Sequence, residues 1–330
     1  MQHTRQGPSA RWSRRVVLGT AIACGLVAAA APALAEIRSL EIIAPAGPGG
    51  GYDQLARAAQ EVLEKHGLAS GVQVTNIPGA GGTIGLAQFV TKSSRSPSLL
   101  VAGLGMVGAV HINKSPVSLD QVQPLARLTG EYQPLVVAAD SPIKTLENLV
   151  AKSKADPGSV SWGGFALGSP DHILVASIVK AVGGDVGRMN YIVAGAGGEM
   201  LAQVMGGHIT VATGGLNEFA QQIEAGKLRA LGISSPERLP GVDIPTLKEQ
   251  GVDVTLVNWR GLMAPAKIRS NDKKALDAAV GEMAKSPEWQ AILKERGWVD
   301  MHQPSDEFAA FLAEERPRIE GILKDLDLVK

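Results

Sequence analysis

Cysteine is almost absent from this 330-residue chain, which has only Cys24. Cleavage after Ala35, argued below, would leave no residue for a disulfide, a thiolate nucleophile or a cysteine metal site. An excess of charge is also missing, with 32 basic and 32 acidic residues. Four of the basic residues fall in the first 35, which hold no acid, so the remainder is slightly acidic. A mixed surface of this kind gives no electrostatic footprint for nucleic acid or an anionic membrane. Beyond the N-terminus no apolar run approaches the length of a membrane span. His66, His111, His172, His208 and His302 show no metal-ligand spacing, so neither a metal nor another cofactor is expected. A chain of this length buries a large core without covalent staples.

The first residues read as an address. Arg5, Arg11, Arg14 and Arg15 precede the apolar run from Val16 to Ala31, and Ala33-Leu34-Ala35 supplies a small-residue cleavage site. Ser13-Arg14-Arg15-Val16-Val17-Leu18 resembles a twin-arginine export signal; an ordinary secretory signal with two adjacent arginines is the alternative. Residues 1–35 are therefore expected to be removed on export, leaving a periplasmic or otherwise extracytoplasmic protein.

Glycine is abundant, and its placement is informative. Four glycine-rich turns each sit between a short apolar run and a helix-like stretch. They are Gly47-Pro48-Gly49-Gly50-Gly51-Tyr52-Asp53, Gly79-Ala80-Gly81-Gly82-Thr83, Gly163-Gly164-Phe165-Ala166-Leu167-Gly168-Ser169 and Gly195-Ala196-Gly197-Gly198-Glu199. Turns of this kind let backbone N–H groups and helix N-termini face an anion. The same spacing, 47 to 79 and 163 to 195, separates the two members of each pair. Two similar halves that each offer two loops suggest a cleft gripping one anionic ligand from both sides.

Strand-like and helix-like segments alternate along the mature chain, as in an α/β fold with largely parallel sheets. The expected strands include 36–44, 72–76, 99–104, 135–139, 159–162, 189–193, 209–212 and 229–233. Helices are expected over 54–66, 84–92, 145–154, 172–182, 199–205, 217–225, 273–285, 287–296 and 306–324. The spacing predicts one lobe from 36–134 with 259–330, and a second from 135–258. Ligands of open α/β sheets bind at such strand ends.

Nucleotide readings fail on composition. No turn supplies the lysine and Ser or Thr of a phosphate loop. The second turn runs Gly79-x-Gly81-x-x-x-Gly85, one residue too long for a dinucleotide fingerprint, and its strand ends in Asn76 rather than an acid.

The stretch from Ala44 to Asp53 with Arg57 resembles the first loop of the periplasmic receptors of tripartite tricarboxylate transporters, and Asn76-Ile77-Pro78-Gly79-Ala80-Gly81-Gly82 their second. Trp162-Gly163-Gly164, Gly168-Ser169-Pro170-Asp171-His172, Tyr191 with Gly197-Gly198-Glu199, and Asn258-Trp259-Arg260-Gly261 are further matches in order. Ser93 to Ser98 departs from the family's Asp-Gly-Tyr before the third strand. The resemblance implies a two-lobed, type II periplasmic-binding fold. Such a receptor closes on a small organic carboxylate, a citrate-like tricarboxylate or a dicarboxylate, and delivers it to large and small integral membrane subunits. It implies a monomer without catalysis. A carboxylate sensor feeding a membrane kinase and an exported hydrolase are the other readings.

The expected ligand-binding residues are Gly47, Gly49, Gly50, Gly51, Tyr52, Asp53, Asn76, Gly79, Ala80, Gly81, Gly82, Gly105, Ala166, Gly168, Ser169, Asp171, His172, Gly197, Gly198, Glu199 and Arg260. Asp53 is expected to cap its helix. Ser169, Pro170 and Asp171 read as N-cap, N1 and N2 of another. Gly50 and Gly81 are expected where a Cβ would intrude or force an unfavourable φ. A Ser169, Asp171 and His172 triad is disfavoured because three neighbours at one helix start point apart, and no Gly-x-Ser-x-Gly elbow exists. Arg260 either pairs with a ligand carboxylate, or forms a structural ion pair or stacks on Trp259.

Overall fold

The computed structural model describes residues 37–92, 97–194, 197–325 and 327–329. The export signal with Ala35, the Ser93 to Ser96 stretch and the first two residues of the fourth glycine turn lie outside these. In chain order the first elements are β1 (Ile37–Arg38), β2 (Glu41–Ala44), α1 (Gly51–Lys65), β3 (Ala69–Ser70) and β4 (Gln73–Asn76). Then come α2 (Thr83–Val90), β5 (Ser98–Gly103), α3 (Leu104–Ile112) and β6 (Val122–Glu131). The middle of the chain builds β7 (Pro134–Ala138), α4 (Leu146–Ala155), β8 (Ser161–Gly164), α5 (Pro170–Ala181) and β9 (Asn190–Val193). It continues with α6 (Gly197–Met205), β10 (Val211–Thr213), α7 (Leu216–Glu224) and β11 (Leu228–Ile233). The last elements are β12 (Asn258–Pro265), α8 (Ser270–Lys285), α9 (Pro287–Glu295), β13 (Val299–Gln303) and α10 (Ser305–Asp325).

Two sheets form the two lobes. The larger has six strands in the order β13-β6-β12-β5-β2-β4, the smaller five in the order β11-β7-β10-β8-β9. In each, parallel strands feed helices (β2, β4 and β5; β8, β9 and β10), and antiparallel strands close the side nearer the crossings. β5 is buried along its whole length, which explains its apolar run from Leu99 to Ala102.

Among the elements that depart from the sequence expectation are α3, β6 and β13, the first two in the stretch between Leu104 and Pro134 where no element was expected. α3 has glycines at 105 and 108 and no polar face; it is buried among both lobes, so no amphipathic period marks it. β6 carries Pro124, and β13 is a polar edge strand, so neither shows strand alternation.

Along β12, alternation sends neighbouring side chains to opposite faces. Trp259 is fully buried edge-on against Phe308 and Phe311 of α10, and its Nε1–H donates to Glu315 Oε1 at 3.2 Å. Arg260 consequently faces the start of α1.

Candidate ligand-binding cleft

The first glycine turn is braced from behind. Gly49 has φ +81, and its N–H donates to Asp53 Oδ2 at 2.8 Å, while Gly50 N–H closes a turn onto Gly47 O at 3.1 Å. Asp53 does not cap α1, as the sequence suggested. Gly50 is the N-cap, and Asp53 lies inside the first turn. Asp53 accepts from Gly49, from Arg57 Nε at 3.0 Å and from Asn76 Nδ2 at 2.8 Å. Burial pushes this carboxyl up, but those three bonds outweigh it and hold the group below its ordinary value. Asp53 and Asn76 therefore shape the turn. The N–H groups of Gly51, Tyr52 and Asp53 have no intrahelical acceptor.

Gly51 touches Arg260. A Cβ there would stand 2.5 Å from Nη2 and 2.7 Å from Cζ of the guanidinium. Arg260 is held in place by Glu131, with Nη2 2.5 Å from Oε2, and Trp298 Nε1–H donates to Glu131 Oε1 at 3.0 Å. The structural ion pair is present, and stacking on Trp259 is not. Gly50, expected to require glycine, has φ −69, which any residue adopts, but a Cβ there would stand 3.2 Å from Ala46 Cβ and from Gly47 O; Gly49 by its φ and Gly51 by its contact with Arg260 are the more constrained positions.

Four successive residues of the second turn have positive φ, with Gly79 at +129, Ala80 at +46, Gly81 at +63 and Gly82 at +96. Ala80 tolerates this because its carbonyl is pinned by Thr83 Oγ1 at 2.9 Å and Asn113 Nδ2 at 3.0 Å. A Cβ on Gly81 would collide with Ala109 Cβ on α3. Gly103 opens α3 without a side-chain cap, as Gly50 opens α1. Tyr52 lies between these two helix starts. Its ring edge approaches Gly103, its hydroxyl lies near Gly105 and accepts from the Met106 N–H, and burial pushes its pKa up to about 12.

The third turn packs on α3. Gly168, at φ +74, has no room for a Cβ beside Ile112. Ser169 caps α5 as expected, accepting from His172 N–H at 3.3 Å, with Pro170 at N1. Asp171 fills the space in front of this helix. Its Oδ2 accepts from Phe165 N–H at 3.1 Å and Ser169 Oγ–H at 3.2 Å, and its Oδ1 accepts from Gln133 Nε2. Burial pushes Asp171 up to about 6. His172 Nδ1 accepts from Gly168 N–H at 3.0 Å, and its ring lies 4.4 Å from that of Tyr191. Burial lowers its pKa to about 4, so the ring is neutral at pH 7. The Ser169 hydroxyl thus points to Asp171 and not to the imidazole; the relay of a hydrolase is not assembled. Ala166 lies in this loop, where its carbonyl accepts from Ser169 N–H at 3.2 Å. Gly197, Gly198 and Glu199 form the first turn of α6, and Glu199 accepts from Gln203.

Sequence reasoning missed four residues of this cleft: Glu131, Gln133, Gly215 and Glu218. The N–H of Gly215 donates to Glu218 Oε2 at 2.7 Å. A Cβ on Gly215 would lie 3.3 Å from Glu131 Oε1 and 3.5 Å from Glu218 Oε2, so both carboxyls line this glycine. Glu218 is reached by solvent yet surrounded by protein; desolvation, Asp171 and Glu131 push it up to about 7 against the pull of Arg260. Gly214-Gly215-Leu216-Asn217-Glu218 is itself a glycine turn at a strand-to-helix junction, which was the available signal. A separate surface cavity of about 250 Å³, lined by His111, Asp120, Arg316 and Pro317 among others, shares no residue with the glycine turns.

Residues 55–328 match the model of the tripartite tricarboxylate transporter family receptor. The chain belongs to this family. Protein BugT of Bordetella pertussis is 27% identical, over 94% of this chain and 96% of the relative. A TctC solute-binding protein from Polaromonas is 26% identical with a TM-score of 0.70, covering 87% of this chain and 98% of that one. MatC from Rhodopseudomonas palustris, solved with bound malate, has the same fold at 22% identity, with a TM-score of 0.75 over 87% and 99% of the two chains. The tricarboxylate-transporter receptors are solute-binding proteins, and the two-lobed architecture is theirs.

Proposed function

We propose that the chain is an extracytoplasmic receptor that captures a small organic carboxylate by lobe closure and hands it to the large and small membrane subunits of a tripartite transporter. In this reading residues 36–134 with 259–330 form one lobe, and residues 135–258 form the other. The observation that carries it is the convergence of two helix starts that open on glycine, α1 and α3, with the buried Arg260 guanidinium at the cleft. Backbone donors and a fixed cation hold a carboxylate through charge-assisted bonds, each contributing about 1.5–3 kcal/mol. The residues that make this contact are Gly51 and Tyr52, the turns at Gly79–Gly82 and Gly105, and Arg260 Nη1. The ligand favours the closed form and shifts the population towards it. The malate bound to MatC fits this assignment.

A thermal-shift screen of residues 36–330 against small carboxylates tests the reading, since a ligand of the native state raises its melting temperature. At least one acid is expected to do so in a concentration-dependent way; a panel without effect would refute the receptor assignment. Export belongs to the same proposal. Replacing Arg14 and Arg15 by Lys is expected to strand the protein in the cytoplasm, whereas continued export would identify the general secretory route.

A further inference from the structure

The two walls of the cleft are chemically unlike. On the wall from the larger sheet, α1 and α3 start at glycines without a side-chain cap. Asp53, the acid in the first turn of α1, is engaged by Gly49, Arg57 and Asn76. On the opposite wall the helix starts already carry the protein's own carboxyls, Asp171 in front of α5 and Glu218 at α7. Glu131 stands between them with Arg260 as its counter-ion. Arg260 is the cation that acts on Glu218, and Glu131 already balances it.

Among the described buried side chains with unused hydrogen-bonding capacity, Arg260 and Gln133 belong to this cleft. Arg260 is 8% exposed, and its Nη1 has no partner. This is a donor beside the start of α1. Gln133 is 0% exposed, and its Oε1 has no partner. Its Nε2 must be the atom that faces Asp171, because a carboxylate accepts; the carbonyl oxygen is therefore what remains. This is an acceptor in the residue that binds Asp171. A buried donor without a partner and a buried acceptor without a partner each cost free energy until a ligand satisfies them.

Resting on the receptor reading above, we infer that the ligand has a polarity: one carboxylate against α1, α3 and Arg260, and a hydrogen-bond-donating end, an ammonium or amide, towards Asp171, Gln133 and Glu218. Glu218 is the residue that sets this choice. A second carboxylate at that end would meet like charges, and Arg260, the cation that acts on Glu218, is already paired with Glu131. Glu218 is the group to alter, because Asp171 is bound by three protein donors, whereas Glu218 lies open to solvent in the cleft. The groups facing Glu218 are Asp171 and Glu131, which oppose its ionisation, and Arg260, which favours it. Measurements belong at pH 8, where Glu218 is mostly ionised.

Calorimetric titration of residues 36–330 with matched series of three to six carbons tests this: each dicarboxylate, its monoamide, and the ω-amino acid of the same length. At the best-fitting length the monoamide or amino acid is expected to bind at least ~10-fold tighter than the diacid. In Glu218→Gln that ratio is expected to fall by ~10-fold, with the diacid gaining and the amino acid losing affinity. Tighter binding of the diacid by the wild-type protein at pH 8 would overturn the polarity while leaving a carboxylate receptor in place. An unchanged ratio in Glu218→Gln, in a variant that still unfolds in one cooperative transition, would remove Glu218 as its determinant. Failure of every compound, mono- and diacid alike, would overturn the receptor reading and the polarity with it.

Discussion

At Gly51 a hydrogen stands where any other residue would press a Cβ against the Arg260 guanidinium. A flexible arginine would normally swing aside, but this one is buried and tied to Glu131, so the strain falls on the ion pair and the start of α1. Gly51→Ala is expected to lose about 1–3 kcal/mol of stability and at least ~10-fold in carboxylate affinity, read by thermal melting and calorimetry. Unchanged values in both would show that the guanidinium is free to move. Glu218 yields a prediction about pH. Its folded-state pKa of about 7 lies above the ordinary 4.5, so the folded protein holds the proton more tightly than the unfolded chain does. Stability from this group is present below about 4.5 and is lost as pH rises through about 7. His172 has the opposite sign: its pKa is lowered to about 4 from 6.5, so it contributes stability that is lost as pH falls through that window. Wild type and Glu218→Gln share His172, so its effect cancels in their difference. The melting temperature of Glu218→Gln is expected to gain on wild type as pH rises from 4.5 to 7. A difference independent of pH would mean that Glu218 titrates as an ordinary carboxyl.

At the scale of elements, what the sequence made legible depended on local contrast. α1 and α5 follow glycine turns, and their starts carry recognisable residues: a glycine run before α1, and Ser169-Pro170 at α5. α3 has neither signal, because it is wedged between two packed surfaces and shows no polar face. It is nevertheless the element against which the second and third glycine turns are fixed, through Ala109 for Gly81 and through Gly108 and Ile112 for Gly168. The cleft was therefore only half visible. Glycines reveal where backbone approaches backbone, but Glu131 and Glu218 are ordinary acids whose meaning arises only when β6 and α7 are brought together. Gly81 tests this dependence on α3. Gly81→Val is expected to remove binding, because both its φ of +63 and the contact with Ala109 exclude a side chain. The cost in stability is expected to be at least about 1–2 kcal/mol, from forcing one L-residue into the left-handed region, with overpacking against Ala109 adding to it. Gly50→Val, at φ −69 and with Cβ contacts of 3.2 Å to Ala46 and Gly47 rather than a collision with Ala109, is expected to be milder on both counts, and calorimetry on the two variants separates them. Equal loss in the two would mean that loop volume, and not backbone conformation, governs recognition.

Over the whole molecule the two lobes share one core. The largest apolar cluster runs from Ile43, Leu86 and Leu100 of the larger sheet and its helices, through Leu104 and Val107 of α3, to Ile173, Leu174 and Val175 of α5 and Val137 of β7. Phe308, Leu312 and Ile319 of α10 belong to the same cluster. The crossings are tied together as well. Gln133 N–H donates to Ser234 Oγ at 3.0 Å, and Ser234 Oγ–H donates to Leu256 O at 2.7 Å, so three segments meet where the chain crosses between the sheets. Shared burial has a thermodynamic consequence. Unfolding either lobe alone would expose the α3 and α5 surfaces to water, at roughly 25 cal/mol for each Å² of apolar area. The lobes are therefore expected to unfold together. Scanning calorimetry of residues 36–330 without ligand should give a calorimetric enthalpy equal to the van't Hoff enthalpy, the signature of one cooperative unit. A ratio near two, or two resolved peaks, would show that the lobes unfold independently, and that the apolar continuity through α3 is too weak to couple them.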